Sequence, residues 1–325
     1  MTLPVIYSAA YHNHEIKFTV LTQPFLCSLF INAPDNLTAI PLDTKGKQKS
    51  LLGLLKYALS IPGAEYDIVI DLHNVIRSRV ISSVLSLKGC RCFMLKKDRK
   101  GRKAIINHLP DSKPLKPVIQ QYADTLREAG LKFDVDFRSL FENGIKSPQF
   151  HNLNKEKQHI GIAPFAKHAG KIYPTEKMEE VIKLLSETGK YEIYLFGSKG
   201  KEGELLSQWE NKYPGVNSVV GKYKLPEELE LISSLDVMVS MDSANMHFAA
   251  IAGTKVISIW GATHTDTGFL GYNCSPENII QLDMPCRPCS VFGQKPCSRG
   301  DIACLRDIKP EMIVQKILTV IGDNN

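Results

Sequence analysis

The chain has 325 residues, 43% of them hydrophobic and 23% charged, with a formal net charge of +6. That length exceeds what one hydrophobic core organises, so two domains are expected, and the ordinary composition excludes collagenous, low-complexity and disordered classes. No apolar run reaches the ~18 to 20 residues needed to cross a bilayer, and no basic region, apolar segment and cleavage site open the chain, which predicts a cytoplasmic protein with no transmembrane segment.

In chain order, the first predicted element is an apolar helix over residues 4–10, followed by a strand at 18–21. Doubly wound domains normally begin with the strand that becomes the middle of the sheet, so this order predicts that a first strand is missing. Helices follow at 51–60, 75–87 and 118–129, and strands at 67–71 and 92–95. Between the last of these strands and the last helix, six of the eight residues from Lys96 to Lys103 are basic. Such a run is either a solvated loop or a contact for phosphate, an anionic glycolipid or a membrane surface. Nucleic acid is disfavoured because no aromatic side chains interleave with the charges. A polar break at 141–158, holding Pro148, separates an incomplete Rossmann-like domain at 1–148 from a second at 149–325.

The second half alternates more cleanly. A strand at 160–163 runs into the loop PFAKHAGKIYP, and a helix then carries Met178, Val181, Ile182 and Leu185 at helical spacing, with Thr175 as its cap and Gly189 at its end. Strands at 191–196, 217–220, 236–241 and 256–259 alternate with helices near 205–209, 227–234 and 246–251. Alternation of this kind specifies a parallel sheet covered by helices on both faces, so the fold class is α/β, two doubly wound domains.

In open parallel sheets, ligands bind beyond the carboxyl ends of the strands, where helix N-termini present free amides to anions. The segment DSANMH, Asp242 to His247, lies at such a place. Its amides and the Ser243 hydroxyl can face a diphosphate; alternatively, Asp242 and Ser243 cap the helix and His247 packs in the core. Lys167, His168 and Lys171 follow the first strand of the same domain. A lysine there suits a pyrophosphate leaving group, because it stabilises charge that grows as the sugar bond breaks. The turn GSKGKEGE is glycine-rich but is not GxGxxG, which counts against a nicotinamide dehydrogenase; Glu202 or Glu204 is either a ribose contact or a solvated helix start. Of eight cysteines, Cys286, Cys289, Cys297 and Cys304 form a CxxC and two further thiols, either a structural zinc set or unligated thiols.

Taken together, KIYP, FGSKGKE, the long segment from VVGKYKLPEELELISSLDVMVSMDSANMHFAAIAGTKVISIWGATH and the tail CLRDIKPEMIV resemble the lipopolysaccharide heptosyltransferases, glycosyltransferase family nine. The resemblance is strongest from Ile160 to Ile321. It implies the two-domain GT-B architecture, a nucleotide-sugar donor such as ADP-heptose in the second domain, and inverting transfer with no cofactor required for catalysis. On that reading Lys171 would contact the donor phosphates, Asp242, Ser243, Ala244 and His247 would line the donor pocket, and Glu202 would meet the ribose. Ala244 departs from the glycine usual in the family. Asp71, His73, Asn74 and Arg77 resemble the acceptor-side loop, with Asp71 as a strand cap and Arg77 as a solvated residue the plain alternatives. The acceptor would be an anionic glycolipid, phosphorylated Kdo-lipid A, met at the inner face of the cytoplasmic membrane. The C-terminal helix would pack back on the first domain. Family members carry a Gly-Asp pair, whose aspartate acts as general base, shortly before a TxP helix start; here TLP is already Thr2 to Pro4, so the base is expected upstream of Met1 and slow transfer with it. Two other classes remain open at this point: a non-catalytic sugar-nucleotide or glycolipid-binding module, and a GT-B sugar-nucleotide epimerase.

Overall fold

The computed structural model describes residues 1–142, 150, 153–154 and 156–322. In chain order the elements of the first part are α1 (Thr2–His12), β1 (Phe18–Thr22), β2 (Leu37–Pro41), α2 (Leu51–Ser60), β3 (Ile68–Asp71), α3 (Ile76–Leu87), β4 (Arg91–Met94), α4 (Arg99–Ile106) and α5 (Val118–Glu128). Those of the second begin with β5 (Gln158–Ala163), α6 (Thr175–Ser186), β6 (Tyr191–Leu195), α7 (Lys201–Lys212), β7 (Val216–Ser218) and α8 (Leu225–Ser233). They end with β8 (Val237–Met241), α9 (Ala244–Ala252), β9 (Val256–Ile259), β10 (Ile279–Ile280), α10 (Ala303–Arg306) and α11 (Pro310–Ile321).

These elements gather into two compact units, one of Met1–Asp98 with Lys116–Arg138, the other of Arg99–Leu115 with Ser139–Asn325. The first unit therefore ends before Pro148, and the segment 99–115 belongs to the second. The expected linker at 141–158, Pro148 included, lies mostly outside the described residues.

In the first unit the strands form two parallel pairs, β1 with β2 and β3 with β4, and no ladder joins the pairs among the described residues. Helix α1 is apolar on nearly every side because nearly every side is covered: Val5, Ala9 and Ala10 are fully buried. Its Ser8 hydroxyl accepts the amide of Phe137 at 3.1 Å, and α5 packs beside it. Helix α2 starts where Ser50 accepts the Gly53 amide at 3.0 Å, an N-cap that satisfies one orphan donor. It turns Leu54 and Ala58 inward against Ile81, Val84 and Leu85 of α3.

The second unit holds one six-stranded parallel sheet of order β10-β9-β8-β5-β6-β7. All five residues of β8 are buried, the mark of a strand covered on both faces. The core runs from Ile160 and Ile162 through Met178, Ile182, Ile193 and Val239 to Ile313 and Ile317. Sheet order reverses at β5, whose neighbours are β6 on one side and β8 on the other. A crevice opens at the carboxyl ends of strands that flank such a reversal.

Helix α11 packs on α6, with Ile313 and Ile317 fully buried in the second unit's own core. Three expectations change. The basic run is a loop only at its start: after Lys96, Lys97 and Asp98 it becomes α4, which begins at Arg99 and buries Ile105. Thr175 is the first helical residue after Pro174 rather than a cap, and its hydroxyl faces Glu176 at 3.4 Å. A sixth strand, β10, extends the sheet beyond β9.

Candidate functional site

The loop after β5 and the start of α9 after β8 meet at the reversal of strand order. Here Lys171 Nζ lies 2.7 Å from Asp242 Oδ2 and donates to the Asp242 carbonyl at 3.1 Å. The two side chains are 14% and 8% exposed. Asp242 Oδ2 also accepts the Thr263 hydroxyl at 2.8 Å, so the carboxylate is held from two sides. Thr263 in turn sits in the loop after β9, which Arg287 braces: its buried guanidinium donates to the carbonyls of Trp260, Gly261, Thr263 and Leu282.

Ser243 occupies the N-cap position of α9 but makes no capping hydrogen bond; its hydroxyl lies 3.2 Å from that of Ser240. The plain capping reading is thus not what the side chain does, and the first amides of α9 keep their hydrogen-bonding capacity for an anion. Ala244 is exposed at the first helical position, where alanine is unstrained. His247, one turn on, lies partly open to the cleft, while its Nδ1 is sealed with no hydrogen-bond partner among the described residues. Burial, reinforced by the Lys171 charge, pushes this imidazole down to about 3, so it is neutral at ordinary pH and not a second cation.

A cleft of about 860 Å³ joins these groups, within the size range of small-ligand sites. Lys167, His168, Lys171, Asp242, Ser243, Ala244 and His247 all line it, as do Gly197, Ser198 and Glu202. Glu202 Oε2 accepts both the amide and the hydroxyl of Ser198, at 2.8 and 2.7 Å, which folds the glycine-rich turn over the start of α7. Four aromatic residues complete the wall: Phe165, Phe196, Phe269 and Phe292. Sequence reasoning assigned no role to Thr263, Arg287 or these phenylalanines. Thr263 stands within the GATH segment but shows its partner only once β8 and β9 are paired, and an isolated phenylalanine carries no periodic signal.

The first-unit residues expected on the acceptor side have a different character. Asp71, at the end of β3, is buried, and its Oδ1 accepts the amides of His73 and Asn74 at 2.9 and 2.7 Å. Its Oδ2 is buried without a hydrogen-bond partner among the described residues. Asn74 adopts φ 44°, donates to the Leu95 carbonyl and accepts from Arg79. Both side chains thus shape the loop, the strand-cap alternative for Asp71, while His73 and Arg77 stand exposed. In the second unit all four tail cysteines are free. Burial raises the Cys289 and Cys304 thiols, whereas backbone amides, Ile302 first, lower Cys297. Among the described residues no three such side chains are disposed to hold a metal. No described helix is long and apolar enough to cross a membrane.

Comparison with known proteins places the chain in a family. The lipooligosaccharide heptosyltransferase 2 of Campylobacter jejuni, serotype O:6, is 22% identical over 323 residues, covering 98% of this chain and 93% of the relative. Among solved structures, a glycosyl transferase family 9 protein of Veillonella parvula superposes with a TM-score of 0.74 at 17% identity, over 99% of this chain and 93% of that one. The Escherichia coli heptosyltransferase WaaC with ADP gives 0.67 at 16%, over 98% and 95%. These likenesses show the fold, GT-B. The sequence profile described as glycosyltransferase family 9 (heptosyltransferase) matches residues 55–297, and the chain belongs to that family of sugar-transferring enzymes.

Proposed function

We propose that this enzyme transfers a heptose or closely related sugar from an ADP-activated donor to a lipopolysaccharide-core type of glycolipid, with inversion at the anomeric carbon. The observation that carries the donor half is the convergence of Lys171 and the uncapped start of α9 on one cleft at the sheet's reversal point. As the bond from the anomeric carbon to the diphosphate breaks, charge accumulates on the departing oxygens. The α9 amides and the Lys171 ammonium are placed to take up that charge, and such groups act most strongly in a partly desolvated site. Asp242 holds the lysine while the cleft is empty of donor, so little side-chain entropy is left to lose on binding. On this reading the Glu202 carboxylate and the Ser198 hydroxyl oxygen, which already donates its proton to Glu202, would offer acceptors to the ribose hydroxyls. The names of the relatives point the same way: one solved structure is an E. coli ADP-heptose lps heptosyltransferase II. The acceptor half rests on that naming and on the exposed His73 and Arg77 of the first unit.

Calorimetric titration with ADP tests the donor half. Wild-type protein binds, and Lys171→Met weakens the complex by about tenfold or more, the worth of one charge-assisted contact. Absence of ADP binding, or an unaltered affinity in Lys171→Met, overturns the assignment. Anomeric analysis of the product formed from ADP-heptose reads the stereochemistry directly.

A further inference from the structure

Helix α2 presents two faces of opposite purpose, although both are apolar. Leu54 and Ala58 are fully buried against α3. Leu51, Leu52, Leu55 and Leu59, by contrast, are 56%, 71%, 39% and 57% exposed. At the helical repeat these four fall within an arc of about 100°. Scattered exposed leucines are ordinary on a soluble protein, but four on one short helix face form a contiguous apolar strip that solvates poorly.

The strip is framed by positive charge. Between Asp43 and Glu65 the sequence contains four lysines and no acidic residue. Lys45, Lys47 and Lys49 are exposed in the turn that leads into α2, and Lys56 is exposed beside Leu55 and Leu59. At the far end, the Lys88 ammonium donates to the Leu59 carbonyl at 2.6 Å. The residue before it, Leu87, is 89% exposed. Leucines on one face with lysines along its border form the pattern of a helix that lies in a membrane interface, its apolar side among the acyl chains and its cations among the headgroups.

We propose that the outer face of α2 docks this enzyme on an anionic lipid bilayer, with Leu51, Leu52, Leu55 and Leu59 entering the interface and Lys45, Lys47, Lys49 and Lys56 meeting lipid phosphates. Charge selects this occupant over a second copy of the chain. A symmetric dimer would place the same patch against itself and bring two lysine clusters together, whereas an anionic surface supplies the opposite sign. The inference rests on α2 and its flanks alone and is independent of the donor assignment.

Vesicle co-sedimentation tests it. The full chain is expected to bind vesicles containing phosphatidylglycerol and to remain in solution with phosphatidylcholine alone. The triple variant L52S/L55S/L59S, whose exposed positions leave the buried face intact, lowers the partition coefficient by about tenfold or more. Exchanging Lys45, Lys47 and Lys49 for Gln, a variant that leaves every leucine in place, lowers it by about fivefold per lysine at low salt. An unchanged melting temperature and unchanged ADP affinity in both variants separate loss of docking from loss of fold or of the donor site. No binding of wild-type protein to anionic vesicles overturns the proposal, as does equal binding by both variants. A wild-type dimer that the serine variant dissociates, without any vesicle binding, likewise assigns the strip to self-association instead.

Discussion

Lys171 and Asp242 carry opposite charges 2.7 Å apart with little solvent around them. Taking two ions out of water costs several kcal/mol each, so such a pair adds little net stability, yet removing one partner strands the other. Asp242→Ala is therefore expected to destabilise the second unit by about 3 kcal/mol or more. Losing both charges together, in Lys171→Met with Asp242→Ala, should recover a substantial share. Chemical denaturation of the two single variants and the double variant measures the coupling, and strictly additive losses would mean that the contact is incidental. Asp242→Asn is the milder probe, since it keeps an acceptor for the Thr263 hydroxyl while releasing the lysine.

At the scale of elements, the site depends on a segment that has no regular structure. Gly293, between Cys289 and Cys297 in the sequence, has φ 75°, and a Cβ built there would stand 2.7 Å from Lys171 Cγ. Gly300, on the same segment, has φ 78° but nothing within 4 Å of such a Cβ. Both alanine variants incur left-handed backbone strain of about 1–2 kcal/mol. Only Gly293→Ala also pushes the lysine stem aside, so ADP affinity should fall about fivefold or more in that variant, as expected when a charge-assisted contact is partly lost. Equal affinities in Gly293→Ala and Gly300→Ala would show that the close approach does not matter. That dependence was not legible in the sequence, because a lone glycine in a coil announces neither its φ nor its neighbour. The strands β8 and β9 and most of β5 were legible, since burial on both faces writes them as largely apolar runs, and β6 was legible by the alternation of its buried and half-buried residues. Helix α4 was not, because its basic residues hide the single buried Ile105. Lys171, Asp242 and His247 were found by their place after strands, whereas Thr263 and Arg287, which hold that place, act through backbone carbonyls and a carboxylate brought close only by the sheet.

For the whole molecule, the two units differ in how their cores are built. The second has one continuous core around a six-stranded sheet, while the first divides its strands into two pairs among the described residues, and two-stranded elements are marginal without packing. The chain's two tryptophans, Trp209 and Trp260, both lie in the second unit and are almost wholly buried. Their fluorescence therefore reports the unfolding of that unit, whereas far-ultraviolet ellipticity reports both. Heating should deplete part of the ellipticity before the tryptophan signal moves. ADP, which on the proposed reading binds the second unit's cleft, should raise the tryptophan transition and leave the earlier loss in place. At a hundredfold excess over its dissociation constant the stabilisation is about 2.7 kcal/mol, a shift of a few degrees for a unit of this size. The same titration on Lys171→Met should require about tenfold more nucleotide for an equal shift. Coincident transitions by both probes would show that the units unfold as one. An ADP effect confined to the early ellipticity loss would place the nucleotide in the first unit, and the cleft after β5 and β8 would then have to be given another ligand.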